Sequence, residues 1–156
     1  MMLAGYGIGG SGALGYDAAE YPFGSLRVGE NQYDPYAGTD DLTFDFDDGA
    51  IGHDALGSDG LGSREAFIAP GDAGGPSFIN GQIAGVHSWV DRGDGKTDIN
   101  KVLDSSFGEI AGDASVAYNF AFIHAAMLTT PEPRLMILVG IALVVISLVG
   151  GKRRCP

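Results

Sequence analysis

Glycine content constrains the fold of this chain more than any other sequence feature. The sequence has 26 glycines among 156 residues, and much of this glycine precedes residue 75. Glycine adopts positive φ angles without steric cost, so segments that mix it with Tyr, Phe, Val and Ile are typical of a loop-rich β-protein. Disorder is the rival interpretation. It fails where LTFDFDDG alternates apolar and polar residues, which puts Leu42, Phe44 and Phe46 on one face of a strand.

The charge of the chain is distributed unevenly. The formal net charge is -11, but all 20 acidic residues lie at or before Glu132, and only five of the nine basic residues precede Pro133. The part before Pro133 therefore carries a net charge of about -15. Such a surface repels phosphate backbones, which excludes nucleic acid as an expected partner. The single cysteine, Cys155, permits no intrachain disulfide.

An apolar segment lies near the C-terminus. Residues 135–150 are uncharged and overwhelmingly apolar. As a helix they would span about 24 Å, slightly less than the ~30 Å hydrocarbon core of a bilayer. Arg134 and Lys152–Arg154 can extend this reach by snorkelling, and the basic cluster after the span favours a cytoplasmic C-terminus. The segment predicts a transmembrane helix over 135–150, with the acidic domain outside.

Three features in order, Pro131-Glu132-Pro133, the apolar span and a basic tail, resemble the PEP-CTERM sorting signal of Gram-negative bacteria. The resemblance implies export, transient anchoring in the inner membrane, and processing near Pro-Glu-Pro by an exosortase-type enzyme. Release to the cell surface or the extracellular matrix would follow. We therefore divide the chain into a domain over 1–128 and a sorting segment over 129–156. MMLAGYGIGGSGALG lacks the features of a signal peptide, so we expect the natural gene to begin upstream.

GYGIGGSG contains Gly7-x-Gly9-x-x-Gly12, which formally matches a dinucleotide-binding fingerprint. We reject this interpretation because we expect no strand before the segment and find no βαβ pattern after it. Its composition predicts turns between strands, and we expect no cofactor and no metal.

GDAGGPSFINGQIAGVHSW, residues 71–89, predicts a hairpin because Asn80-Gly81 separates two apolar runs. The stretch resembles the nucleophile loop and following strands of trypsin- and chymotrypsin-like serine peptidases, in which the third position of GDxGGP is serine. Here that position is Ala73. The resemblance runs from about Gly5 to Met127. It implies an all-β fold, the Greek-key β-barrel that forms the C-terminal half of a chymotrypsin-like peptidase, followed by a short C-terminal helix.

The resemblance also implies a set of site residues. The backbone N–H groups of Gly71 and Ala73 would form an oxyanion hole, and Asp72 resembles the aspartate that pairs with the freed amino terminus of a mature enzyme. The supporting loop positions are Asp72, Gly74, Gly75 and Pro76, and the substrate-binding positions are Phe67, Ser88, Trp89 and Val90. Phe67 replaces a specificity carboxylate and Val90 replaces a glycine, so we expect a small apolar pocket for a peptide ligand. In the terminal helix an apolar face at helical spacing would pack on the barrel: Val116, Phe120, Ile123 and Met127.

Triad catalysis needs a serine, a histidine base and an orienting aspartate. Ala73 has no hydroxyl, and in this family the histidine and aspartate come from a first barrel that the chain does not contain. We interpret His53, His87 and His124 as surface or packing residues, and we expect Ser77 to point away from the cleft. We therefore predict an exported peptidase homologue that is catalytically inactive as given.

Two alternatives remain open. The chain is a fragment of an active serine endopeptidase whose N-terminal barrel is missing, or it is a non-catalytic extracellular binding or matrix protein. Asp91, Asp94 and Asp98 also suggest calcium, but an EF-hand register would put Val90, Arg92 and Lys101 at ligand positions. That excludes an EF-hand and favours a solvated acidic loop over a looser calcium site.

Overall fold

The computed structural model describes residues 1–37, 39–58 and 60–129, and over these residues the protein is mostly β. The strands are β1 Met2–Gly5, β2 Gly10–Ser11, β3 Gly15–Tyr16, β4 Arg27–Glu30, β5 Leu42–Asp45, β6 Pro76–Ile79, β7 Gln82–Asp91 and β8 Ile110–Ser115. A 3₁₀ helix covers Gly62–Arg64 and an α-helix, α1, covers Phe120–Thr129. The chain divides into two units, Met1–Asn119 and Phe120–Pro156.

Six strands form one curled antiparallel sheet in the order β4-β1-β6-β7-β8-β5, and β2 and β3 form a separate small hairpin. β4 and β5 are the two edges of the large sheet. A backbone bridge joins the segment after β4 to β5: the Asp34 N–H donates to the Thr43 carbonyl at 2.8 Å, and the Thr43 hydroxyl donates to the Asp34 carbonyl at 2.5 Å. The sheet therefore curls far enough for its two ends to be hydrogen-bonded.

The hairpin predicted at Asn80-Gly81 is confirmed. Asn80 has φ 51° and Gly81 has φ 77°, and the two residues join β6 directly to β7. Positive φ at both central residues is the geometry of a type I′ turn, whose twist matches that of the flanking strands.

The strand predicted in LTFDFDDG is confirmed as β5, and the core forms around it. Phe44 is fully buried and clusters with Leu3, Ile68 and Ala111. The opposite face of β5 is also covered, since Thr43 and Asp45 are 2% and 1% exposed. The polar side chains of this strand therefore form hydrogen bonds inside the protein rather than facing water.

The glycine-rich segment at the N-terminus is a turn structure, as predicted. One of the two arguments against a dinucleotide fingerprint was nevertheless wrong, because β1 does precede it. Gly10 and Ser11 pair with Tyr16 and Gly15, and no helix follows in this part of the chain. Without a helix there is no helix N-terminus to bind a pyrophosphate.

The predicted short C-terminal helix is present as α1, but Val116 lies before it. α1 begins only at Phe120 and contains no buried residue; Phe120 and Met127 are 63% and 70% exposed. Its sequence, FAFIHAAMLT, is apolar almost all round and so lacks a distinct face to bury. Within the described ranges no helix has the length and hydropathy needed to cross a bilayer. The predicted span over 135–150 lies outside them.

A buried carboxylate joins three parts of the sheet unit. Asp113, on β8, is fully buried. Its Oδ1 contacts His87 Nδ1 at 2.8 Å, and its Oδ2 accepts hydrogen bonds from the hydroxyls of Tyr33, at 2.6 Å, and Ser77. Burial first, and then the hydrogen bond to Asp113, raises the pKa of Tyr33. Asp113 therefore ties β8 to β6, to β7 and to the segment after β4.

We predict that Asp113→Asn lowers the free energy of unfolding by about 2–4 kcal/mol, because at least one buried donor loses its acceptor. Urea unfolding of the full chain measures this loss. Asp94→Asn is the matched control, since Asp94 is exposed and pairs only with the exposed Lys96. Equal unfolding midpoints for the two variants would contradict the assignment.

Candidate functional site

The loop before β6 is attached to β7 by backbone hydrogen bonds. The Gly74 N–H donates to the His87 carbonyl at 2.9 Å, and the His87 N–H donates to the Gly75 carbonyl at 2.8 Å. Within the loop, the Asp72 N–H donates to the Ala69 carbonyl and the Gly75 N–H donates to the Asp72 carbonyl. A side chain at Gly75 would collide with this arrangement, because its Cβ would lie 2.9 Å from His87 Cδ2. The predicted loop therefore has a defined shape that depends on glycine.

Asp72 has a partner that sequence reasoning left open. Its Oδ1 accepts the Gly7 N–H at 2.7 Å and its Oδ2 accepts the Ala69 N–H at 3.0 Å. The carboxylate also lies against Gly5 and Gly7, where an added Cβ would be 1.9 Å and 2.6 Å from Asp72 Oδ1. Gly5 and Gly7, at and just after the end of β1, therefore leave room for Asp72. The Gly7 N–H takes the place of the chain terminus that the resemblance implied as the partner of Asp72.

Two backbone amides of the loop have no internal acceptor. Among the described residues, neither the Gly71 N–H nor the Ala73 N–H donates a hydrogen bond, whereas the Asp72 N–H between them does. Both residues are exposed, and Gly71 has φ 97°, a conformation that L side chains rarely adopt. Two free N–H donors separated by a single residue are able to stabilise a carbonyl or carboxylate oxygen.

A pocket of about 350 Å³ adjoins these amides. It brings together five residues that the sequence placed in the site: Gly71, Ala73, Ser88, Trp89 and Val90. The remaining lining residues are Tyr16, Ile68, Ala69, Pro70, Leu103 and Ser105. No residue of this lining carries a charged side chain, so the pocket suits a small apolar group better than an arginine or lysine side chain.

Phe67, which the resemblance implied to be a substrate-binding residue, does not line this pocket. Its ring stacks on Phe46 with 5.1 Å between centroids and meets Phe44 edge-on at 5.6 Å. An aromatic side chain gains more from burial among other rings than from a position at the pocket wall. The next two residues, Ile68 and Ala69, form the wall instead.

The C-terminal end of β7 contacts β8 and Asp41, whereas its other edge has no neighbouring strand among the described residues. Trp89 Nε1 donates to Asp41 at 2.8 Å, and its ring packs over Gly112, where a Cβ would lie 2.2 Å from the ring. The register with β8 shifts at Ser88. β6 pairs with β7 only as far as Val86, and no other described strand follows along that edge of residues 88–91. An extended peptide has room to pair there.

In the described ranges the two hydrogen-bonded histidines, His53 and His87, both contact aspartates, and no hydroxyl group is hydrogen-bonded to a histidine. Ser77 is fully buried against Asp113 and, as expected, does not line the pocket. His53 contacts Asp48 at 2.8 Å, and His124 stacks on Phe120 within α1. Position 73, the nucleophile position of the resemblance, has no hydroxyl, and no histidine lines the pocket.

His87 has a role that sequence reasoning missed. It is 2% exposed, its Nδ1 contacts Asp113, and its Nε2 is buried without a partner among the described residues. Ser77 and His87 lie on the same hairpin, but Asp113 is 36 and 26 residues away from them in the sequence. The available signal was their position on inward-facing strand faces, where a polar residue needs a partner.

The loop of residues 91–98 satisfies its own carboxylates. Asp98 accepts the N–H groups of Asn100 and Lys101 and pairs with Arg92. Asp94 pairs with Lys96, and Asp91 accepts the Gly93 N–H at 2.6 Å. Each of these carboxylates is therefore hydrogen-bonded or ion-paired within residues 91–101.

Comparisons with protein-family models, curated proteins and solved structures found no match. The functional inference accordingly rests on the contacts described above.

Proposed function

We propose that this chain is a chymotrypsin-like serine-peptidase homologue that binds peptides and does not hydrolyse them. The strand order supports the fold part of this proposal. β6, β7 and β8 are consecutive neighbours, and β5, which precedes β6 by a long connection, lies beside β8, as in a Greek key. The Asp34–Thr43 bridge supports closure of the sheet into a barrel.

One observation supports the proposal that the protein binds peptides without hydrolysing them. The free amides of Gly71 and Ala73 lie beside an apolar pocket, while position 73 offers only a methyl group. A peptide carbonyl or C-terminal carboxylate would accept hydrogen bonds from these amides. No acyl-enzyme forms, because there is no nucleophile, and loss of the nucleophile alone costs on the order of a millionfold in rate.

The bound peptide would be extended. Its backbone would pair with the free edge of residues 88–91, and one small apolar side chain would enter the pocket. Val90 lines that pocket and limits its size. This mode combines backbone recognition along the strand with selection of a single side chain.

We predict that neither the unmodified chain nor Ala73→Ser reacts with a fluorophosphonate probe, which needs an activated hydroxyl. The new serine would lack a base, since none of the pocket-lining residues is a histidine. Mass spectrometry of the full chain after incubation measures labelling, with an active trypsin as positive control. Labelling of Ser77 or Ser88 would overturn the inactive assignment. Labelling of Ala73→Ser alone would instead identify a base within reach, with His87 the first to test.

We predict that N-acetylated tetrapeptides ending in Ala or Phe bind more tightly than one ending in Arg, because no charged side chain lines the pocket. Trp89 is the only tryptophan and lines the pocket, so its fluorescence reports binding directly. Val90→Ala should improve the affinity for the Phe peptide by about tenfold, because it removes two methyl groups from the pocket wall and leaves more room for the ring. Val86→Ala is the control, since Val86 lies on β7 outside the pocket. Equal binding of all three peptides would refute the pocket.

We further propose that residues 129–156 are a PEP-CTERM-type sorting segment that holds the domain outside the inner membrane until an exosortase-type enzyme processes it. We predict that a soluble reporter fused to this segment is retained at the inner membrane with its C-terminus inside, because a basic cluster follows the apolar span. Protease access to a C-terminal tag measures the orientation. Cleavage of the tag from the periplasmic side would refute the orientation, and a soluble cytoplasmic fusion would refute the sorting role.

A further inference from the structure

A cluster of carboxylates lies in the long connection between β5 and β6, and it shares no residue with the peptide pocket. Asp45 ends β5, Asp47 follows two residues later, and Asp54 lies further along the connection. Each of the three offers one carboxylate oxygen, and these oxygens all lie within 4.8 Å of one another. The three side chains therefore converge on one point.

Other hydrogen bonds hold the connection in this shape. Glu65 Oε2 accepts the Asp47 N–H and Glu65 Oε1 accepts the Leu61 N–H, both at 2.8 Å. Asp45 Oδ2 accepts the N–H groups of Ala55 and Leu56 at 2.7 Å and 2.8 Å. The backbone therefore wraps around the carboxylates, and the cluster is built into the fold rather than spread over a mobile surface.

Asp47 is the carboxylate of the three that accepts no hydrogen bond from the described residues. It is 1% exposed, and both of its carboxylate oxygens are buried without a hydrogen-bond partner among the described residues. The charges that act on it most strongly all come from acidic residues, namely Asp45, Glu65, Asp54 and Asp34. A buried carboxylate in such surroundings lacks the positive partner that buried charges require.

We propose that Asp45, Asp47 and Asp54 form a binding site for a divalent cation, and that the cation is calcium. The available ligands are all oxygens, which hard cations prefer. Calcium accepts six to eight oxygen ligands in flexible geometry at about 2.3–2.6 Å, whereas magnesium demands a near-ideal octahedron and usually keeps several waters. A cluster of carboxylates whose oxygens lie within 4.8 Å of one another therefore suits calcium better. From the sequence we expected no metal, and the calcium site we considered was in the acidic loop of residues 91–98. The sequence analysis therefore did not identify this cluster.

Thermal unfolding and calorimetry of the full chain in a mild detergent test the site. We expect 5 mM CaCl₂ to raise the unfolding temperature by roughly 5–10 °C relative to EDTA, the shift produced by a ligand near a hundred times its Kd. MgCl₂ at equal ionic strength should raise it less. Identical unfolding temperatures in CaCl₂ and EDTA, together with no calcium-binding heat, would overturn the proposal.

Asp47→Asn keeps the size of the side chain and removes its charge. We expect this variant to unfold in EDTA at or above the temperature of the unmodified chain, because repulsion is relieved, and to lose the calcium-induced shift. Asp48→Asn is the matched control, since Asp48 is the next residue but is partly exposed and pairs with His53. It should keep the shift.

Two further variants make the outcome decisive. If Asp47→Asn does not fold, the less buried Asp54→Asn should fold and bind calcium at least tenfold more weakly, as expected for the loss of a charged ligand. Asp94→Asn should bind calcium normally. The proposal fails if Asp47→Asn or Asp54→Asn keeps the full calcium-induced shift in unfolding temperature. It also fails if Asp48→Asn loses as much of this shift as they do. If Asp94→Asn alone abolishes calcium binding, the ion belongs to the loop of residues 91–98 and the proposal is wrong.

Discussion

The carboxylate of Asp113 is the interaction on which most of the sheet unit depends. Because it accepts hydrogen bonds from Ser77 and Tyr33 and contacts His87, it holds β6, β7 and β8 together at one point. The backbone of His87 in turn anchors Gly74 and Gly75. The pocket beside Gly71 and Ala73 is therefore positioned by a buried polar network that contributes no side chain to its lining.

The chemistry of the pocket resides in its backbone. The free amides of Gly71 and Ala73 are oriented by the positive φ of Gly71 and by the hydrogen bonds of Asp72, and none of these depends on a hydroxyl at position 73. A methyl group at position 73 therefore leaves both N–H donors in place.

Acidic residues shape the fold as well as the surface. Asp45, Asp72 and Glu65 each accept two backbone N–H groups, and Glu109, which is fully buried, accepts those of Asp104 and Ser105. Carboxylates in a chain with many tight turns therefore replace missing backbone acceptors. Asp47 differs because it accepts nothing in the described part of the chain, which is why a cation is the partner proposed for it.

The sequence by itself determined what depends on neighbouring residues. The Asn80-Gly81 turn, the strand at Leu42 and the glycine-rich loop before β6 follow from dihedral preference and period-two alternation, which act over a few residues. Only the tertiary structure decided that Phe67 stacks in the core, that α1 buries no side chain, and that Asp72 bonds Gly7, 65 residues away. The physical reason is that packing and buried hydrogen bonds join residues from distant strands, and local preference carries no information about which strands will meet.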